Sequence, residues 1–144
     1  MKVLNNKIYF ELLEDSEQPQ KTIFQPNADM LKLCRVIDVG QNVEYVSEGD
    51  IITIYVTSIS MLDSTKGLCT ERDVIFNNSI PQKGKVHIGQ QKNNELSVFK
   101  SGKVLSSNSQ DIEKNDEVYY KPGQSHVLPD NTEIISETQI FYSK

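Results

Sequence analysis

Short runs of apolar residues alternate with turn-forming residues along the whole chain. Stretches rich in β-branched and aromatic residues, such as 7–13, 33–39 and 51–56, are separated by segments that carry Gly, Pro, Asn and Asp. Runs of this length with such boundaries are typical of strands, and no segment predicts a long helix. The pattern therefore predicts an all-β protein built as small antiparallel barrels or a sandwich.

Four further segments have predictions of their own. Residues 71 and 73 are predicted to open a turn, 90–95 to form a polar loop, and 96–99 to form a short strand. Residues 77–84 combine polar residues with Pro81 and Gly84, and they are predicted to be the linker between two halves of the chain.

The second half of the chain repeats the pattern of the first half. Asp50 and Asp116 are 66 residues apart (116 − 50), and the same offset relates Glu71 to Glu137 (137 − 71) and Val74 to Ile140 (140 − 74). A constant offset at several matched positions is the signature of an internal repeat. We therefore predict two small units in tandem, residues 1–78 and residues 79–144.

Composition excludes several classes of function. The chain has 144 residues and a net charge of −5, and its Lys and Arg residues are scattered, so no nucleic-acid partner is predicted. No apolar run reaches the length of a membrane span and no signal peptide opens the chain, so we expect a cytoplasmic protein with no membrane partner. Cys34 and Cys69 lack metal-site spacing, and a disulfide between them is disfavoured in a reducing compartment.

The residues that could carry chemistry are few. Asp50 and Asp116 each follow turn residues, where a carboxylate accepts backbone N–H bonds, so a structural role is preferred over catalysis. His87 and His126 have no ligating or catalytic partners at a useful spacing, and they are interpreted as half-buried or surface histidines. The sequence therefore predicts a protein that is not an enzyme, with no cofactor and no metal.

Three blocks follow one another in the first half of the chain: Arg35-Val-Ile-Asp-Val-Gly40, Glu48-Gly-Asp-Ile-Ile-Thr-Ile54 and Cys69-Thr-Glu-Arg-Asp-Val-Ile75. Their order resembles that of the GroES-like co-chaperonins, the chaperonin-10 family. In that family a strand ending in Gly precedes a Gly-Asp turn with its strand, and a Ser-Glu-x-Asp-Ile segment follows. The second half repeats them more weakly at 102–105, 115–118 and 136–140. The resemblance thus covers nearly the whole chain, as two GroES-like units in tandem.

This resemblance implies two partly open antiparallel β-barrels and a homo-oligomeric ring that caps a chaperonin double ring to assist protein folding. The family's working part is a mobile loop after the first strand, which corresponds here to residues 14–29. Within it, Thr22, Ile23, Phe24 and Gln25 are the implied partner-binding residues. A polar segment that orders on binding and places a few apolar side chains in a groove gives weak, reversible contacts.

An alternative remains open on the same residues. No Gly-Gly precedes Ile23, and Ile23 and Phe24 could equally pack against the barrel. The alternative is a structural or interaction module, such as a phage virion decoration, connector or adaptor protein, that keeps the barrel without chaperonin binding and has a virion protein as partner. An Asn-, Lys- and Ile-rich chain suits a phage-encoded protein, whose compartment would be the host cytoplasm.

Overall fold

The computed structural model describes residues 2–14, 18, 31–55, 60–93 and 98–143. Every pairing between the described strands is antiparallel, and the helical residues are confined to two short 3-10 turns within the described part of the chain. The predicted all-β, antiparallel fold class is therefore confirmed. The chain divides into two compact units, Met1–Ser79 and Ile80–Lys144.

The strands of the first unit have the hydrogen-bonded order β4-β5-β1-β2-β3-β6. Its strands are β1 (Lys7–Leu12), β2 (Leu31–Val39), β3 (Ile51–Tyr55), β4 (Ser60–Met61), β5 (Lys66–Thr70) and β6 (Val74–Asn77). In β3, Ile52 and Ile54 are buried while Thr53 between them is not, as the two-residue period of a strand requires. A 3-10 turn, Glu71–Asp73, joins β5 to β6.

The second unit repeats this arrangement. After the two-residue strand β7 (Ile80–Pro81), six strands form a sheet with order β11-β12-β8-β9-β10-β13. These strands are β8 (Lys85–Asn93), β9 (Lys100–Ser107), β10 (Glu117–Tyr120), β11 (His126–Val127), β12 (Glu133–Ser136) and β13 (Ile140–Ser143). A second 3-10 turn, Glu137–Gln139, joins β12 to β13.

The two units share irregularities as well as strand order. The β1–β2 register shifts between Tyr9 and Phe10, and the β8–β9 register shifts between His87 and Ile88. A second shift lies at Thr53/Ile54 in β3–β6 and at Tyr119/Tyr120 in β10–β13. Each shift is a β-bulge, which bends a strand and increases its twist. Shared bulges at equivalent positions show that the repeat extends to backbone geometry.

The offset between equivalent residues locates the main difference in length. Phe10 and Ile88 are 78 residues apart (88 − 10), Val36 and Val104 are 68 apart (104 − 36), and from β3 onward the offset is 66. The additional residues of the first unit therefore lie mainly between β1 and β2.

Each unit buries its own apolar core. The first core contains Ile8, Phe10, Cys34, Val36, Val46, Ile52, Ile54, Cys69 and Val74. The second contains Val86, Ile88, Val104, Ile112, Val118, Tyr120 and Ile135. Among the described residues, β4 and β6 of the first unit are not paired with each other, and neither are β11 and β13 of the second unit.

Two local predictions are wrong. Residues 90–93 belong to β8 and are not part of a loop, because a bulge between Gly89 and Lys92 lets the strand continue through polar residues. Val98 and Phe99 are not in a strand, and the rest of the predicted strand 96–99 lies outside the described residues. Turns at residues 78–79 and 82–84 flank β7 within the predicted linker, and 71–73 is a 3-10 turn.

No helix within the described ranges is long and apolar enough to cross a membrane.

Candidate partner-binding site

The implied partner-binding residues Thr22, Ile23, Phe24 and Gln25 lie outside the described residues, as does most of the segment 14–29. The structure describes the root of this segment, formed by Leu13, Glu14, Gln18 and the first residues of β2. The site can therefore be built from its root, where the chain leaves the sheet and returns to it.

Gln18 binds the backbone of both flanking strands at this root. Its Nε2 donates to Leu13 O at 3.0 Å and to Leu33 O at 2.9 Å, and its Oε1 accepts from Leu33 N at 2.8 Å. Leu13 N also donates to Leu33 O, at 3.1 Å. The sequence gives no signal for this role, because one Gln in a polar loop resembles any other.

The equivalent connection in the second unit is much shorter. Residues 13–30 connect β1 to β2, whereas residues 94–99 connect β8 to β9, whose pairing extends to Asn93 and Lys100. The same hairpin therefore carries a long connection in one copy of the repeat and a short one in the other.

The turn before the third strand is the same in both units. Val36 N donates to Asp50 O and Gly49 N donates to Val36 O, and Val104, Asp116 and Asn115 make the equivalent pair of bonds. The carboxylates close the turns, because Asp50 Oδ2 accepts from Ser47 N and Asp116 Oδ2 accepts from Glu113 N, both at 2.9 Å. The predicted structural role of both aspartates is confirmed.

The repeated glutamates hold the connection between the second and third strands of each unit. Glu71 accepts from Tyr45 N at 2.8 Å and from Glu44 N at 3.1 Å. In the second unit, Glu137 accepts a short hydrogen bond from the Ser109 hydroxyl. These carboxylates stabilise a loop, which explains their recurrence in the repeat without catalysis.

Tyr45 and Asn77 add a further network in the first unit. Asn77 N donates to Tyr45 Oη, and Asn77 Nδ2 donates to Tyr45 O and to Asp50 Oδ2, each at 2.9 Å. Burial raises the pKa of Tyr45 to about 12, although the hydrogen bond from Asn77 acts in the opposite direction. The phenol is therefore a neutral structural group at physiological pH.

A buried carboxylate cluster in the second unit was missed by sequence reasoning. Glu133 is 3% exposed and accepts hydrogen bonds from Tyr120 Oη at 2.6 Å, Ser125 Oγ at 2.5 Å and Gln91 Nε2 at 3.0 Å. Lys100 Nζ lies 2.9 Å from Glu133 Oε2. Strand alternation could have found it, because Glu133 and the buried Ile135 are two residues apart and share a face.

The pKa values in this cluster follow from the hydrogen-bond donors that surround Glu133. Burial by itself raises the pKa of Glu133, but hydrogen bonds from Ser125, Tyr120, Lys100 and Gln91 outweigh that effect and lower it to about 2. Burial, together with the neighbouring carboxylate, raises the pKa of Tyr120. The cluster is therefore a hydrogen-bonded network in which Glu133 is ionised and Tyr120 is neutral near neutral pH.

The cysteines and histidines also lack catalytic features. Burial raises the pKa values of Cys34 and Cys69 to about 12 each, so neither thiol is a nucleophile at neutral pH. His87 is half-buried with its Nε2 2.8 Å from Thr132 Oγ1, and burial lowers its pKa against the opposing effect of Asp130. His126 is exposed.

Across the described part of the chain, no group of three or more His, Cys, Asp or Glu side chains is arranged to hold a metal ion. Comparison with protein-family models, with curated proteins and with solved structures finds no match to this chain.

Proposed function

We propose that this protein is a non-enzymatic, co-chaperonin-like binding protein that contacts a chaperonin double ring through residues 14–29. One observation carries the proposal: of the two copies of one fold, only the first has a long connection between its first and second strands. A repeat that keeps its strand order, bulges and turns while retaining a long polar connection in one copy suggests that this connection is used for binding.

The root of the connection supports this proposal. Gln18 joins the start of the segment to Leu13 and to Leu33 of β2, at the end of the β1–β2 hairpin. Binding by a segment that orders on contact costs roughly 2–5 kcal/mol of the gross contact energy, so each contact is weak. A homo-oligomeric ring would multiply such contacts through avidity. The working compartment in this proposal is the cytoplasm, of the host cell if the protein is phage-encoded.

The proposal is tested by capture of a purified double-ring chaperonin on immobilised protein, with ATP present. The double variant Ile23→Ser with Phe24→Ser removes both apolar side chains from the connection, and we expect it to lose capture at least tenfold. The matched control is Leu4→Ser with Leu62→Ser, because these leucines are 51% and 49% exposed in the same unit. Equal capture by both double variants, or no capture by the natural protein, would contradict the proposal.

A second candidate function is the structural or interaction module, and an exposed apolar patch in the second unit favours it. Phe99 and Phe141 contact each other edge to face with ring centroids 5.1 Å apart, and Phe141 is 54% exposed. Val98, which precedes Phe99 in the chain, is 69% exposed. Exposed aromatic pairs are enriched at interfaces. Capture of a virion protein by the natural chain, lost in Phe141→Ser but kept in Ile23→Ser/Phe24→Ser, would favour this candidate.

A further inference from the structure

At the end of the β1–β2 hairpin, the residue pair Leu13 and Leu33 makes only one direct backbone hydrogen bond. A hydrogen-bonded antiparallel pair normally exchanges two backbone bonds. Leu13 and Leu33 make one of them directly, from Leu13 N to Leu33 O. The other passes through the Gln18 amide, because Leu33 N donates to Gln18 Oε1 at 2.8 Å and Gln18 Nε2 donates to Leu13 O at 3.0 Å.

The side-chain amide therefore takes the place of a peptide group in the ladder. Its second N–H donates to Leu33 O at 2.9 Å, so both donors and the acceptor of the amide are used. A primary amide has one acceptor oxygen beside two N–H donors, which is the set that this rung requires. Leu33 N and Leu13 O are each satisfied, but by the inserted amide and not by each other.

We infer that Gln18 is a positioning residue that fixes the point at which β1 and β2 part and the partner-binding segment begins. This inference rests on the proposed function for its consequence in binding, but not for the bridge itself. The bridge links residue 18 back to residue 13 and across to β2, so the segment that follows starts from a fixed atom. A fixed start reduces the conformational freedom that binding has to remove.

The first test is hydrogen exchange at single amides, measured by NMR on the full chain. Gln18→Met keeps the length of the side chain and removes its hydrogen bonds. We expect the Leu33 amide to exchange about tenfold faster in this variant, because its acceptor is lost. The Val36 amide, which donates to Asp50 O in the same strand, should keep its rate. Gln124→Met, at an exposed glutamine of the second unit, is the matched control.

The second test is a double-mutant cycle on chaperonin capture. If Gln18 positions the segment, Gln18→Met weakens capture several-fold in the natural background and has no further effect once Ile23→Ser and Phe24→Ser are present. An effect of Gln18→Met on overall stability alone would instead reduce capture in both backgrounds to the same degree.

The outcomes separate this inference from the proposed function. An unchanged Leu33 exchange rate in Gln18→Met overturns the bridge, whatever the chaperonin result. Accelerated Leu33 exchange in a protein that never captures chaperonin supports the bridge and refutes the proposed function. Accelerated exchange with unaltered capture by Gln18→Met, in a protein that does bind, overturns the role of Gln18 in positioning the segment.

Discussion

The two units of this protein have the same backbone frame and differ in what fills it. Both have the order of strands 4-5-1-2-3-6, the same two bulges and the same Asp-closed turn before the third strand. At equivalent positions, however, the first unit has Gly67 and Ile54 where the second has Glu133 and Tyr120. The frame is specified by backbone hydrogen bonds and turns, while the core contents have diverged.

In the first unit, the core around β5 is packed with apolar groups. The Phe10 ring lies over Gly67, so closely that a Cβ at residue 67 would come within 2.9 Å of Phe10 Cζ. In the second unit, the smaller Ile88 takes the place of Phe10 and packs on a different glycine, Gly102. A Cβ at residue 102 would lie 2.2 Å from Ile88 Cγ2. The space that remains near β12 is filled by the bonded Glu133 and Tyr120.

This difference shows that two copies of one fold can have cores of different polarity. A buried carboxylate is tolerated only when donors surround it, and here the donors come from β8, β9, β10 and the loop before β11. The cluster thereby joins β8, β9, β10 and β12 and the loop before β11 at one point. The first unit has no equivalent carboxylate at that site, and it retains the long β1–β2 connection.

The largest expected effect is the loss of that carboxylate. Glu133→Ala leaves the Lys100 ammonium and the Tyr120 hydroxyl without their acceptor, and we expect it to destabilise the second unit by about 3–5 kcal/mol. Hydrogen exchange of β8 and β9 amides, compared with β1 and β2 amides, measures each unit separately. The exposed Glu117→Ala is the control and should change little. An equal loss of protection in both units would contradict this localisation.

The pH dependence of the second unit should follow the same group. The folded-state pKa of Glu133 is about 2, below its ordinary 4.5, so its contribution to stability is present above the ordinary value and is lost as pH falls toward 2. The difference corresponds to about 3 kcal/mol. We expect protection of β8 and β9 amides to fall between about pH 5 and pH 2, and this acid-dependent loss to be reduced in Glu133→Gln. An unchanged pH profile in Glu133→Gln would assign the acid sensitivity to other groups.

The smallest expected effect compares the two repeated turns. Gly49 and Asn115 occupy equivalent positions with left-handed φ angles of 91° and 77°. Gly49→Ala should destabilise the first unit by about 1 kcal/mol, because a Cβ is unfavourable in this conformation although nothing lies within 4 Å of it. Asn115→Gly should be close to neutral. Chemical denaturation, monitored by amide hydrogen exchange in each unit, provides the measurement. A larger loss of stability in Asn115→Gly than in Gly49→Ala would contradict this prediction.

Most of the frame could be predicted from the sequence. The offset of 66 residues between Asp50 and Asp116 and between Glu71 and Glu137 reflects real equivalence. Each Asp accepts the same backbone N–H bond in its turn, and each Glu accepts a hydrogen bond from the connection between the second and third strands of its unit. The predicted strands 7–13 and 51–56 lie within a residue of β1 and β3, and the predicted strand 33–39 lies inside β2. Local signals were sufficient there because strands and turns depend on nearby residues.

The bulges and the polar interior were not predictable in the same way. The polar residues 90–93 continue a strand because a bulge turns Gln91 toward Glu133, a partner 42 residues away. The insertion of the Gln18 amide between Leu13 and Leu33 likewise depends on a strand that begins well beyond it in the chain. The hydrophobic pattern of a single segment cannot predict hydrogen-bond partners that lie far away in the sequence.

Most of the strands and turns and the twofold repetition follow from the amino-acid pattern, because alternating burial and turn chemistry act between neighbours along the chain. Which polar residues are buried, and which groups satisfy them, depends on the folded arrangement, because a buried carboxylate or an inserted amide is stable only where distant donors and acceptors converge on it.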